Sequence, residues 1–170
     1  MEKKMADREE NPFEIQLLNY ITNNEPVDTI RAFIKSYPET LTRKIDYPEY
    51  KPIFYIACSK LAKTINPNIV EALIESGANL YHTDKLHYDK EALHFATLGG
   101  NAKILQIIIK SLKPDKINSL SNENTALNLL IKEGNSEDSD FIECIQFLIH
   151  AGILILIIII IIYYISKYTR

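Results

Sequence analysis

The densest collection of side chains able to do chemistry is Tyr81-His-Thr-Asp-Lys-Leu-His-Tyr-Asp-Lys90, with two histidines, two tyrosines and both charge signs in ten residues. His82, Asp84 and His87 are of types that ligate metals. A metal site needs a third or fourth ligand and hydrogen-bonded support behind it. The sequence offers neither, so no metal is expected. Amphipathic aromatics mixed with hydrogen-bonding groups are instead characteristic of protein interfaces. Tyr81, His82, Asp84, Lys85, His87, Tyr88 and Asp89 are therefore the candidate partner-binding residues, against the competing reading of an ordinary solvated loop.

Motifs for catalysis are missing: there is no GxGxxG, Walker A, GxSxG, HExxH or kinase set. Five glycines in the whole chain, all but one at helix ends or turns, leave little from which to build a phosphate cradle. No catalytic residue, enzyme activity or cofactor is expected. Setting aside Lys167 and Arg170 near the C-terminus, 17 of the 19 basic residues face 22 acidic ones, and no basic run stands out. A nucleic-acid partner would require a local basic stripe, so none is expected. Cys58 and Cys144 lie 86 residues apart without CxxC or Cys/His spacing. They read as reduced core thiols of an intracellular protein. The charged start, Met1 to Glu10, has no apolar h-region, so no secretory signal peptide is expected.

The elements that must position these residues emerge from internal repetition. Four segments answer one another: Ile30-Arg-Ala-Phe-Ile34-Lys-Ser-Tyr37, Val70-Glu-Ala-Leu-Ile74-Glu-Ser-Gly77, Leu105-Gln-Ile-Ile-Ile109-Lys-Ser-Leu112 and Ile145-Gln-Phe-Leu-Ile149-His-Ala-Gly152. Their matching isoleucines are separated by 40, 35 and 40 residues. Each segment follows a second helical stretch, beginning near Pro12, Pro52, Ala92 and Thr125. Proline suits a helix first turn, Thr125 is placed as an N-cap, and Gly99-Gly100 and Gly134 are stop signals. The unit is helix, short turn, helix, polar loop. Small residues such as Ala57 and Ala96 let neighbouring units approach, while the Ile and Leu rows build a continuous core.

The stretch Glu91-Ala-Leu-His-Phe-Ala-Thr-Leu-Gly-Gly-Asn-Ala-Lys-Ile-Leu-Gln-Ile-Ile-Ile109 resembles the ankyrin repeat, T-P-L-H-x-A-A-x-x-G-H-x-x-I-V-x-x-L-L, register for register. Glu75-Ser-Gly77-Ala78-Asn79 is similar to the closing G-A-D/N turn, and Ala151-Gly152 repeats its beginning. The resemblance covers about residues 12 to 152 and implies an all-α solenoid of about four units, near 12–50, 51–90, 91–124 and 125–152. It implies structural roles for Leu93, His94, Ala96, Gly100, Thr125, Gly77 and Gly152, with His94 holding a turn through its ring. It also implies non-catalytic binding of an unidentified protein partner through loop tips and the concave face of the first helices. The binding loops would be 38–50, 81–90 and 113–124. Glu91-Ala92 replaces Thr-Pro, and Phe54 and Asn128 stand where histidine is usual. Units of 40 residues exceed the usual ~33. The surplus falls in 59–68 and 135–140, between the helices of the second and fourth units, where it is expected to point outward and be tolerated, or else to lengthen a rim of the array.

Beyond the units, Ala151 to Ile165 is an apolar run of 15 residues, extendable to 19 by starting at Phe147. As helices these span roughly 22 and 28 Å, against a hydrocarbon core of about 30 Å. Tyr163, Tyr164, Lys167 and Arg170 would furnish an aromatic belt and basic flank. One reading is a membrane contact through Ile153 to Ile165, a transmembrane helix holding cytosolic repeats to a membrane; the alternative is a soluble cytoplasmic chain. The longer span conflicts with Phe147, Leu148 and Ile149, which the fourth unit needs for its core. A third reading makes the run a replacement for further repeats, because isoleucine begins where the polar closing turn should.

Overall fold

A computed structural model describes residues 12–46, 50–59, 61–83 and 88–152. The apolar run from Ile153 onward and the candidate residues Asp84, Lys85 and His87 lie outside the described residues. The helices form in pairs: α1 (Pro12–Thr22) with α2 (Val27–Ser36), α3 (Ile53–Cys58) with α4 (Pro67–Glu75), and α5 (Ala92–Gly99) with α6 (Ala102–Ser111). A fourth pair is α7 (Ala126–Glu133) with α8, helical over 141–152. Between the first two pairs a short antiparallel hairpin of β1 (Lys44–Asp46) and β2 (Tyr50–Pro52), the only two strands among the described residues, pairs Lys44 with Pro52.

Side-chain caps place several starts. Asn66, Asn101 and Thr125 accept from the backbone N–H groups of Asn68, Ile104 and Asn128 at 3.0, 3.1 and 3.2 Å, filling donors the first helical turn leaves bare. Left-handed glycines make two of the stops. Gly77 (φ 100°) closes α4 while Ala78 N–H reaches back to the Leu73 carbonyl at 3.0 Å, and Gly100 (φ 66°) closes α5. Gly152 departs from the expectation: it is still helical, without a positive φ. The residue after it is a β-branched isoleucine rather than the Ala-Asn that turns the chain after Gly77.

First helices stack in sequence, α1 on α3 on α5 on α7, and second helices likewise, α2 on α4 on α6. One continuous core runs through both layers. Every residue of α3 is buried, as are seven of the eight in α5, so the middle of the first-helix layer offers a partner little surface. The matched isoleucines record how each pair is covered by the next: Ile34 is 2% exposed, Ile74 and Ile109 half-buried, and Ile149 40% exposed. Ile131 and Ile142 on the last pair are also exposed. Of the three residues expected in the core of the fourth pair, Leu148 is buried and Phe147 packs against the core, but Ile149 is not enclosed.

The segment between α3 and α4 corrects the expectation of an outward, merely tolerated insertion. Ala62 and Ile65 are buried, because the first-helix layer ends early here: α3 is six residues long and leaves apolar surface for the segment to cover. Cys58 and Cys144 are both buried free thiols. Burial pushes both thiols up, Cys144 to about 11 with a smaller contribution from the Asp140 charge. Among the described residues no helix is long and apolar enough to cross a membrane.

Candidate functional site

The loops joining successive pairs rest on buried polar joints. His94, the third residue of α5, is fully buried; its Nδ1 accepts from Glu91 N–H at 3.2 Å and its Nε2 lies 3.2 Å from the Ser119 carbonyl. A carbonyl only accepts, so these partners assign the proton to Nε2. Burial lowers the ring's pKa, outweighing the opposing pull of the Ser119 carbonyl and the Glu91 charge. Glu91, 6% exposed, accepts from Ser119 Oγ at 3.0 Å and lies 3.7 Å from Lys116 Nζ. This one joint therefore ties the start of α5 to the loop before α7. Leu93 and Ala96 are fully buried beside it.

The other pairs lack this joint. Phe54 is buried in core and Asn128 is exposed at the equivalent positions. Glu14, third in α1, is a carboxylate 2% exposed, 3.5 Å from Arg43 Nη1 and without a hydrogen-bond donor among the described residues.

The loop from Tyr81 divides its candidate residues between scaffolding and display. Tyr81 Oη accepts from Lys113 N–H at 3.2 Å, and the Lys113 ammonium lies 5.9 Å from the Tyr81 ring centre. The His82 carbonyl accepts from the hydroxyl of Tyr55, a buried ring stacked on Phe95 at 4.8 Å. His82 Nε2 is buried and has no hydrogen-bond partner among the described residues. Tyr81 and His82 thus hold the loop down. Tyr88, 64% exposed, and Asp89 stand at the tip, with Lys90 Nζ 5.3 Å from the Tyr88 ring centre.

Leu120, on the next loop, was not among the candidates, yet it is 62% exposed. The two tips are joined: Ser121 Oγ donates to the Tyr88 carbonyl at 2.7 Å. Ser121 and Asn124 exchange both backbone hydrogen bonds at 2.9 Å across Asn122 and Glu123, whose φ values are 47° and 64°. This is a two-residue turn of the primed type. Tyr88 and Asp89 are also left-handed, at 60° and 57°. Leu120 lies within the expected 113–124 binding loop, but nothing in its local sequence singled it out. Among the described residues no group of three His, Cys, Asp or Glu could hold a metal ion.

A family model of ankyrin repeats, in three copies, matches residues 54–157, or 104 of the chain's 170 residues. The chain belongs to the ankyrin-repeat family. Ankyrin repeats generally are protein-interaction modules and non-catalytic. The match starts within α3, so the first helix pair of this ankyrin-repeat chain lies before it. No curated protein and no solved structure matches the chain significantly.

Proposed function

We propose that this ankyrin-repeat chain is a non-catalytic recognition scaffold that binds a protein partner through the joined tips of its second and third inter-pair loops, 81–90 and 113–124, centred on Tyr88 and Leu120. The repeats would occupy about 12–50, 51–90, 91–124 and 125–152, and work in the cytosol. The observation that carries this reading is a pair of exposed apolar side chains on neighbouring turns whose roots are anchored by Tyr55, Tyr81 and His94. A rigid aromatic displayed on a fixed base binds with little loss of side-chain freedom. Asp89, Lys90 and Lys113 supply both charges at the rim, where they serve selection more than affinity. The loop-tip surface is favoured over the concave face because α3 and α5 present almost nothing there.

Affinity capture with the full chain tests this. Replacing Tyr88→Ala and Leu120→Ser together is expected to weaken a captured partner by tenfold or more, while Lys103→Ala on the exposed outer side of α6 leaves it unchanged. Partners that survive the double replacement at full strength overturn the proposal.

A second reading adds a membrane anchor at Ile153 to Ile165, favoured by 13 residues of which every one is Ile, Leu or Tyr. Because Leu148 is committed to the core, the anchor would have to begin after α8 and be short. Release of the full chain from membranes by alkaline extraction refutes it.

A further inference from the structure

The segments between α3 and α4 and between α7 and α8 meet across the third helix pair. Lys63 Nζ lies 2.6 Å from Asp138 Oδ2 and 2.7 Å from its Oδ1, and 3.8 Å from Asp140 Oδ2. It also donates to the Gly100 carbonyl, at the turn between α5 and α6. Asp140 Oδ2 in turn accepts from the N–H of Ala102, the first residue of α6, at 3.1 Å, and Asp138 Oδ1 accepts from Asp140 N–H at 3.0 Å. One ammonium from the second pair thus touches groups of the third and the fourth.

Two further features keep it there. Gly100, at a positive φ, has no side chain; a Cβ would sit 3.2 Å from Asp138 Oδ2 and 3.4 Å from Lys63 Cε, crowding the bracket by a few tenths of an ångström. The Lys63 segment is also pinned from both sides. Asn101 Nδ2 donates to the Ala62 carbonyl at 2.7 Å, and Asn24 bonds the Thr64 carbonyl and the Asn66 N–H at 2.9 and 2.6 Å.

In a solenoid each unit contacts only its immediate neighbours, and stability sums over nearest-neighbour interfaces. We propose that Lys63 couples the second helix pair directly to the fourth, so that α8 is held on the array by a charge bracket as well as by packing. The last pair most needs such a bracket. Among the described residues it is packed from one side, as the exposure of Ile131, Ile142 and Ile149 records. Isolated surface ion pairs contribute little; a network in which several charges share one cation is where such contacts count. Without Lys63, two carboxylates two residues apart would face each other without the cation between them.

Amide hydrogen exchange on the full chain at low salt reads this directly. Lys63→Met is expected to lower protection over 141–152 about tenfold and leave 12–36 unchanged; Lys63→Arg retains most of the protection. Asp138→Asn, a replacement confined to the α7–α8 segment, gives the same loss alone and adds little in the Lys63→Met background. Because screening shortens to about 3 Å at 1 M salt, the difference between wild type and Lys63→Met should shrink there. A Lys63→Met effect confined to residues 61–66, or losses from Lys63→Met and Asp138→Asn that simply add, overturns the coupling.

Discussion

Replacing Gly99 with alanine sets helix propensity against packing and gives them opposite signs. Gly99 is the last residue of α5 and has no positive φ, so alanine can adopt its backbone. Propensity alone favours the replacement by roughly 0.5–1 kcal/mol. The space does not: an added Cβ would stand 2.2 Å from the Cys58 carbonyl oxygen and 2.8 Å from Ala62 Cβ. Carbon contacts are most favourable near about 3.5–4.0 Å, so the end of α3 and the segment after it would have to retreat by more than an ångström. Neither neighbour is a flexible side-chain end; one is backbone and the other a Cβ in the core. Overpacking of this kind costs about 1–3 kcal/mol, and the rigid neighbours place it near the top of that range. Less the propensity gain, about 2 kcal/mol of destabilisation remains, which for a chain of this size lowers the melting midpoint by about 4–8 °C. Thermal unfolding followed by far-UV circular dichroism reads it. Gly152→Ala is the control, since among the described residues its Cβ would meet only Asn118 Oδ1, at 3.8 Å, in an already helical backbone. It should raise stability by about 0.5–1 kcal/mol. A Gly99→Ala protein as stable as wild type, or more so, would refute the close approach of α3 and α5.

The remaining predictions concern buried titrating groups. Burial holds the folded pKa of His94 below its ordinary 6.5, so the unfolded chain takes up this proton first. That contribution to stability is full above about pH 6.5 and declines as pH falls below it toward the lower folded value. The melting midpoint should therefore drop between pH 7 and 5.5, and His94→Gln, though less stable at pH 7, should drop less steeply over the same window; equal slopes would remove His94 as the source. With both thiols buried and raised, neither Cys58 nor Cys144 should react with a thiol reagent at pH 8 in the folded chain, and both should react once it is unfolded in urea. Prompt labelling of either thiol without denaturant would contradict its burial.

What the sequence made legible was whatever depends on short range. The four outer helices and their register follow from apolar spacing along one helix face, and the stops at Gly77 and Gly100 follow from a conformation glycine adopts without strain. The cap read from the sequence, Thr125, acts over three residues; the structure adds Asn66 and Asn101. The loop that draws the eye by composition, 81–90, proved half scaffold: Tyr81 and His82 are committed to Lys113 and Tyr55, 32 and 27 residues away. Asp84, Lys85 and His87 lie outside the described residues. Leu120 gave no local sign, because the exposure of a leucine is decided by what the rest of the chain covers.

The two extra segments show where one-dimensional reasoning about repeats stops. Each looks dispensable when compared with the repeat pattern, since a unit of ordinary length folds without it. Lys63 and Asp138 are 75 residues apart, and no pattern within either segment pairs them. They meet across the turn between α5 and α6, where the Lys63 ammonium also donates to the Gly100 carbonyl. An added residue in a solenoid is therefore neutral only while it reaches no further than its neighbour. Once it spans two units, it adds an interaction that nearest-neighbour accounting omits.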